Sequence, residues 1–204
     1  MKKEEISIPG YKEYDYMIVM SPHDELRKKI SDLRDQFNKE FEVETPQVTG
    51  KPNMMLASFT QYSMMEERIV NRLRAIAVAY PPFKVELKNF GSFPNHTIFI
   101  DITSKLPVQS LVKTIRSEAQ RLMKFNDENK PYFNIEPHFT IARKLKPWQY
   151  EKGWLKYSHL TFRGTFIADG MTLLKKLKDG KNWTVVGRFM FQNLPIEVKQ
   201  GNLF

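Results

Sequence analysis

Pro137-His138-Phe139-Thr140-Ile141-Ala142-Arg143 and, earlier in the chain, Pro52-Asn53-Met54-Met55-Leu56-Ala57 are the two stretches on which the reading of this sequence turns. In a strand, side chains at i and i+2 face the same way, so His138 and Thr140 point together, with Arg143 close behind. An imidazole moves a proton near neutral pH, a hydroxyl donates to a phosphoryl oxygen, and a guanidinium neutralises developing negative charge. The trio suits phosphate chemistry.

Comparing the chain with itself brings in the second stretch. Tyr14 to Pro22 reads as a short apolar strand, followed by a helical pattern over Asp24 to Phe41 and then by Pro52 to Ala57. His96 to Ser104 is likewise a strand, followed by a helical pattern over about Val108 to Phe125 and then by Pro137 to Ala142. The halves read as a diverged duplication, with pseudo-repeats of about 14–94 and 95–192 inside one domain of 14–204. Pro52 matches Pro137 and Ala57 matches Ala142, while Asn53 stands where His138 does and Met55 where Thr140 does.

The remaining elements follow from periodicity. Leu26, Ile30, Leu33 and Phe37 mark the buried stripe of the first helix. Residues 1–13 read as a flexible arm, Val43 to Pro52 as a loop, Asn53 to Phe59 as a strand and Met64 to Tyr80 as a second helix stopped by Pro81-Pro82. Phe83 to Leu87 alternates as a strand, Gly91 to Asn95 forms a turn, and Thr97 to Ile102 is the next strand. Pro147 to Tyr157 is aromatic and basic and reads as a loop with a short helix. Three late strands are expected near His159 to Phe166, Gly170 to Lys176 and Trp183 to Phe191. Strands and helices mix without regular alternation, which implies an α+β fold with largely antiparallel sheets.

Composition narrows the partners. The 32 Lys and Arg outnumber the 23 Asp and Glu, and the net charge of +9 favours phosphate-rich ligands over membranes. Without cysteine there is no disulfide, no thiolate catalysis and no cysteine metal site. Met1-Lys2-Lys3 leads into Glu4-Glu5 rather than an apolar run, and no stretch approaches the roughly 20 apolar residues of a membrane span. A cytoplasmic monomer is the expectation.

The chain resembles the 2H phosphoesterase superfamily, in particular its 2'-5' RNA ligase-like branch, from about Tyr14 to Phe191. The resemblance rests on Pro137 to Arg143, on Phe83-Lys84-Val85-Glu86-Leu87 leading into Phe90-Gly91-Ser92-Phe93-Pro94, and on the duplication. It implies a bilobal fold in which two largely antiparallel sheets flank a cleft, with helices outside and one His-x-Thr or His-x-Ser motif from each lobe. It also implies metal-independent opening of 2',3'-cyclic phosphates or similar phosphodiesters, or 2'-5' joining of RNA ends, with no cofactor. Carried over by position, His138 is a general acid or base, Thr140 a phosphate donor and Arg143 a phosphate or transition-state contact. The first motif departs from the pattern at Asn53 and Met55: Asn53 hydrogen-bonds but shuttles no proton at neutral pH, and Met55 offers no useful donor.

His96-Thr97 is the candidate side chain to replace the missing histidine, with the substrate itself or water as the alternatives, although its threonine at +1 faces the other way. His23 reads as a surface or capping residue and His159 as the start of a late strand. The aromatic and basic residues from Lys144 to Tyr157 fit either base stacking or a lid packed on the sheet. Three functions stay open: a phosphodiesterase or RNA ligase of altered activity, a binding module for a nucleotide or an RNA end carrying a cyclic phosphate, and a relic of the fold that serves a partner.

Overall fold

The computed structural model describes residues 10–48, 50–94 and 96–194. Its elements are β1 (Glu13–Met20), α1 (Asp24–Glu40), β2 (Met54–Tyr62), α2 (Glu66–Ala79), β3 (Phe83–Phe93), β4 (Thr97–Ile102), α3 (Lys105–Met123), β5 (Tyr132–Phe133), β6 (His138–Arg143), α4 (Pro147–Tyr157), β7 (Arg163–Ala168), β8 (Gly170–Leu177) and β9 (Thr184–Met190). They build two antiparallel sheets, one ordered β5-β2-β1-β8-β9 and the other β6-β4-β3-β7. The α+β arrangement of two sheets about a cleft is the one the sequence implies.

Local chemistry sets the helix ends. His23 caps α1, its Nδ1 accepting from the Leu26 N–H at 3.2 Å, and Asp24 and Glu25 sit in the first turn, where negative charge is favoured. Pro81-Pro82 ends α2 one residue after its last turn, and Pro147 opens α4 at a position that needs no N–H.

The helices cross between sheets. The helix α1 follows a strand of the five-stranded sheet yet packs on β6 and β7 of the other, beside α4 on β4. Conversely, α3 follows β4 but packs on β2, while α2 lies on β8 and β9. Ile98, Ile100 and Phe139 are therefore fully buried on the helix side of the four-stranded sheet. Gly153 lets α4 approach closely, because a Cβ there would stand 2.9 Å from the Phe37 ring and 3.1 Å from Ile98. The other face of each sheet is left for the cleft.

Several boundaries differ from the sequence reading. Part of the supposed arm is tied down: the Gly10 carbonyl accepts from the Met64 N–H, the Lys12 carbonyl from the Ser63 N–H, and Glu13 begins β1; residues 1–9 of it lie outside the described residues. The expected turn at Gly91 is strand instead. A bulge at Lys88 and Asn89, with Asn89 at a φ of 60°, carries β3 on to Phe93, and the turn begins only at Pro94. His159 opens no strand: its N–H closes a turn on the Lys156 carbonyl after α4, and β7 begins at Arg163.

Candidate active site

His138 opens β6, an edge strand, and pairs with Asp101 of β4. Its Nδ1 lies 2.6 Å from the Glu136 carbonyl oxygen. A carbonyl only accepts, so Nδ1 carries the proton in the neutral ring and Nε2 keeps a free lone pair. Phe93 and Phe99 enclose the ring, with centroids 5.2 and 4.7 Å away. That burial pushes the His138 pKa below its ordinary value, against upward pulls from the Glu136 carbonyl and from the charges of Asp101 and Glu136. Lys105 adds to the lowering and is itself held by Asp101 at 3.2 Å and Glu136 at 3.8 Å. The His138 imidazole is thus neutral at physiological pH.

Gly91 makes this enclosure possible. It pairs with Phe99 across the sheet, and a Cβ on it would stand 2.5 Å from the Phe99 ring. Only a residue without a side chain lets the ring lie over the sheet beside His138.

Strict alternation would send Arg143 to the opposite face from His138 and Thr140. The register prevents this: Thr140 pairs with Phe99 and Ala142 with Ile98, leaving Ile141 unpaired in a β-bulge. Asp101, Phe99 and Thr97, one face of β4, therefore meet His138, Thr140 and Arg143. Arg143 nevertheless stays apart from His138. Four residues of β4 separate their partners, about 13 Å, and the Arg143 Nε donates to the Gln47 carbonyl at 3.1 Å. Its guanidinium lines a separate cavity of about 320 Å³ with Gln47, Lys144, Lys146 and Gln149.

The opposing wall comes from β2, which runs close to β6. Asn53 precedes β2, and its Oδ1 accepts from the Ser21 hydroxyl at 2.7 Å. Met55 pairs with Val19 and is partly exposed on the same face. This wall can position a ligand with an amide and a hydroxyl, but neither group exchanges protons near neutral pH.

His96 lies far from this arrangement. It precedes β4, five residues from Asp101 and so about 16 Å along the strand. Its Nδ1 is engaged with the Thr97 hydroxyl at 2.5 Å, and its own carbonyl accepts from the Leu145 N–H. The geometry does not bring it to His138 as a replacement for the missing base. Among the described residues no group of three or more acidic or histidine side chains could hold a metal ion. No helix among them is long and apolar enough to cross a membrane.

One structural residue escaped the sequence reading. Arg34 sits in the buried stripe of α1, between Ile30 and Phe37, and is itself buried. Its Nε donates to the Thr140 carbonyl at 2.9 Å and its guanidinium reaches the Gly50 carbonyl at 3.4 Å, which ties β6 and the loop before β2 to one helix. Desolvation lowers its pKa to about 10, so it stays charged at neutral pH. An arginine four residues after Ile30 and three before Phe37 was the available signal.

A family model described as the 2'-5' RNA ligase superfamily matches residues 22–180. A Geobacillus kaustophilus protein provisionally named a phosphoesterase is 25% identical over 179 residues, covering 86% of this chain and 95% of that relative. A Bacillus licheniformis protein named the same way is 24% identical over 187 residues, covering 86% and 97%. Among solved structures, Escherichia coli LigT complexed with 3'-AMP superposes with a TM-score of 0.62 at 16% identity, covering 88% of this chain and 98% of LigT. The protein TT0787 of Thermus thermophilus gives 0.64 at 18% identity, covering 87% and 98%. At these identities the structural likeness speaks to the fold.

Proposed function

The chain belongs to the 2'-5' RNA ligase superfamily, and from that premise we propose that it takes a nucleotide or RNA end bearing a 2',3'-cyclic phosphate, or a related phosphodiester, into the cleft beside His138 and turns it over slowly by one-base chemistry. The observation that carries this reading is the His138 ring itself, neutral, proton fixed on Nδ1 by the Glu136 carbonyl, and basic at Nε2. His138 Nε2 takes the proton of an attacking water as its oxygen bonds to phosphorus, and the bond from phosphorus to the leaving oxygen breaks. Thr140 donates to a phosphoryl oxygen. The leaving oxygen draws its proton from solvent, since Asn53 can donate a hydrogen bond to it but no proton. A missing acid typically costs about 10²- to 10⁴-fold in rate.

The Asn53-Ser21 hydrogen bond favours a second reading, a cleft retained for binding alone. One experiment separates the two: hydrolysis and binding of 2',3'-cyclic nucleotides and cyclic-phosphate-ended RNA, with His138→Ala alongside. Turnover lost in His138→Ala supports the enzyme reading. Binding without turnover replaces it with the second reading, and neither binding nor turnover overturns both.

A further inference from the structure

Beyond the cleft, three cations lie within four residues, Arg143, Lys144 and Lys146, and all three line the cavity of about 320 Å³. Its floor is built: Gln149 is buried, and its Nε2 donates to the Phe41 carbonyl at 2.9 Å and the Glu42 carbonyl at 3.1 Å, fixing α4 to the end of α1. Glu42 and Glu44 also line it, so the cations hold an excess of one charge. Next in sequence to this floor, Trp148 is 40% exposed, and the Lys152 ammonium lies 5.5 Å from the centre of its ring. A partly exposed aromatic ring two residues from Lys146, carrying Lys152 over it, puts stacking surface and positive charge side by side, the pairing that holds single-stranded nucleic acid.

We propose that the Arg143–Lys146 cavity and Trp148 form a second binding site, for the body of a single-stranded RNA whose phosphorylated end lies at His138. The proposal rests on the reading of the cleft given above and deepens it: the ligand is a strand and not a free nucleotide. Arg143, whose Nε is held by the Gln47 carbonyl, then holds a phosphate of the strand with its remaining N–H groups. The backbone positions of His138 and Arg143 lie about 13 Å apart along the strand, a span of about four nucleotides at the stacked rise of ~3.4 Å. Base stacking accounts for an exposed tryptophan that a site for a small anion would not need.

The test measures binding of labelled oligouridylates of one, two, four and eight nucleotides, each ending in a 2',3'-cyclic phosphate, at several salt concentrations. Affinity is expected to rise steeply up to about four or five nucleotides. Lys144→Ala with Lys146→Ala flattens that rise and reduces the salt slope by about 1.4, the value for two phosphates of a single strand. Trp148→Ala weakens the longer strands by about tenfold. Lys28→Ala with Lys113→Ala removes the same charge from exposed helix positions and leaves the length dependence in place. Inorganic polyphosphate, which has charge but no bases, competes without sensitivity to Trp148→Ala. An affinity independent of length overturns this inference while leaving the cleft reading intact, as does an unchanged rise in the Lys144/Lys146 variant. Failure of every length, the mononucleotide included, overturns both.

Discussion

Leu56 and Ile141 hold the same place in two strand pairs: each is the unpaired residue of a β-bulge, Leu56 between the pairs Met55–Val19 and Ala57–Ile18, Ile141 between Thr140–Phe99 and Ala142–Ile98. The bulges coincide when 52–57 is laid on 137–142, so the wall at Asn53 keeps the backbone of the wall at His138 and differs in side chains. Ser21 faces Asn53 where Asp101 faces His138, and Ser58 stands where Arg143 does.

A framework kept this closely should accept the missing groups. Asn53→His combined with Met55→Thr is expected to raise hydrolysis of 2',3'-cyclic nucleotides by about 10²- to 10⁴-fold over the unaltered protein, the usual worth of a positioned proton-transfer group. Steady-state rates on a cyclic mononucleotide provide the check, and a rate unchanged by the double substitution would show that the wall no longer reaches the reacting phosphate.

The lowered pKa of His138 has a definite sign in stability. Between that lowered value and the ordinary value of about 6.5, the unfolded chain binds the proton more readily than the folded one. Stability from this group is therefore complete above about pH 6.5 and is lost as pH falls toward the native pKa. Urea midpoints measured from pH 8 to 5 should fall on the acid side, and His138→Asn should fall less. Any turnover that relies on His138 should decline along the same limb, with one ionisation in place of a bell.

Removing Arg34 leaves the Thr140 carbonyl at the edge of β6 without its partner. Arg34→Met, which keeps much of the side-chain volume, is expected to cost about 1–3 kcal/mol. Equilibrium urea unfolding measures it, and a loss within error of zero would mean that water satisfies the carbonyl equally well.

Gly91→Ala should act on His138 at one remove. The added Cβ meets the Phe99 ring at 2.5 Å, so the ring must shift and the imidazole becomes wetter. The His138 pKa then moves up toward its ordinary value, which NMR titration of the imidazole reads directly. Overpacking of this kind costs about 1–3 kcal/mol.

How much of this was legible can be argued from single residues. The stripe Leu26, Ile30 and Phe37 located α1 to within a residue of its observed end, because burial of one helix face writes a period into the sequence. Pro81-Pro82 marked a helix end because proline lacks an N–H wherever it stands, whereas Pro147 to Tyr157, read as a loop with a short helix, is helix throughout. The bulge at Ile141 left no such mark, since it depends on the register against β4, which lies far away in sequence. Arg143 could therefore be named as a cation near His138, but its engagement with Gln47 and its separate cavity could not be read. The distance of His96 from His138 was hidden for the same reason. Phe99 looked like one more apolar residue of a strand until Gly91 was found beside it.

The crossing of the helices constrains how the protein moves. With α1 anchored on β6 and β7 while its strand belongs to the other sheet, and α3 anchored on β2 in the reverse sense, each jaw of the cleft is bolted to the opposite one. Pulling the jaws apart would strip both helices from their beds. The two halves, each held by a helix of the other, should therefore melt together in a single cooperative transition.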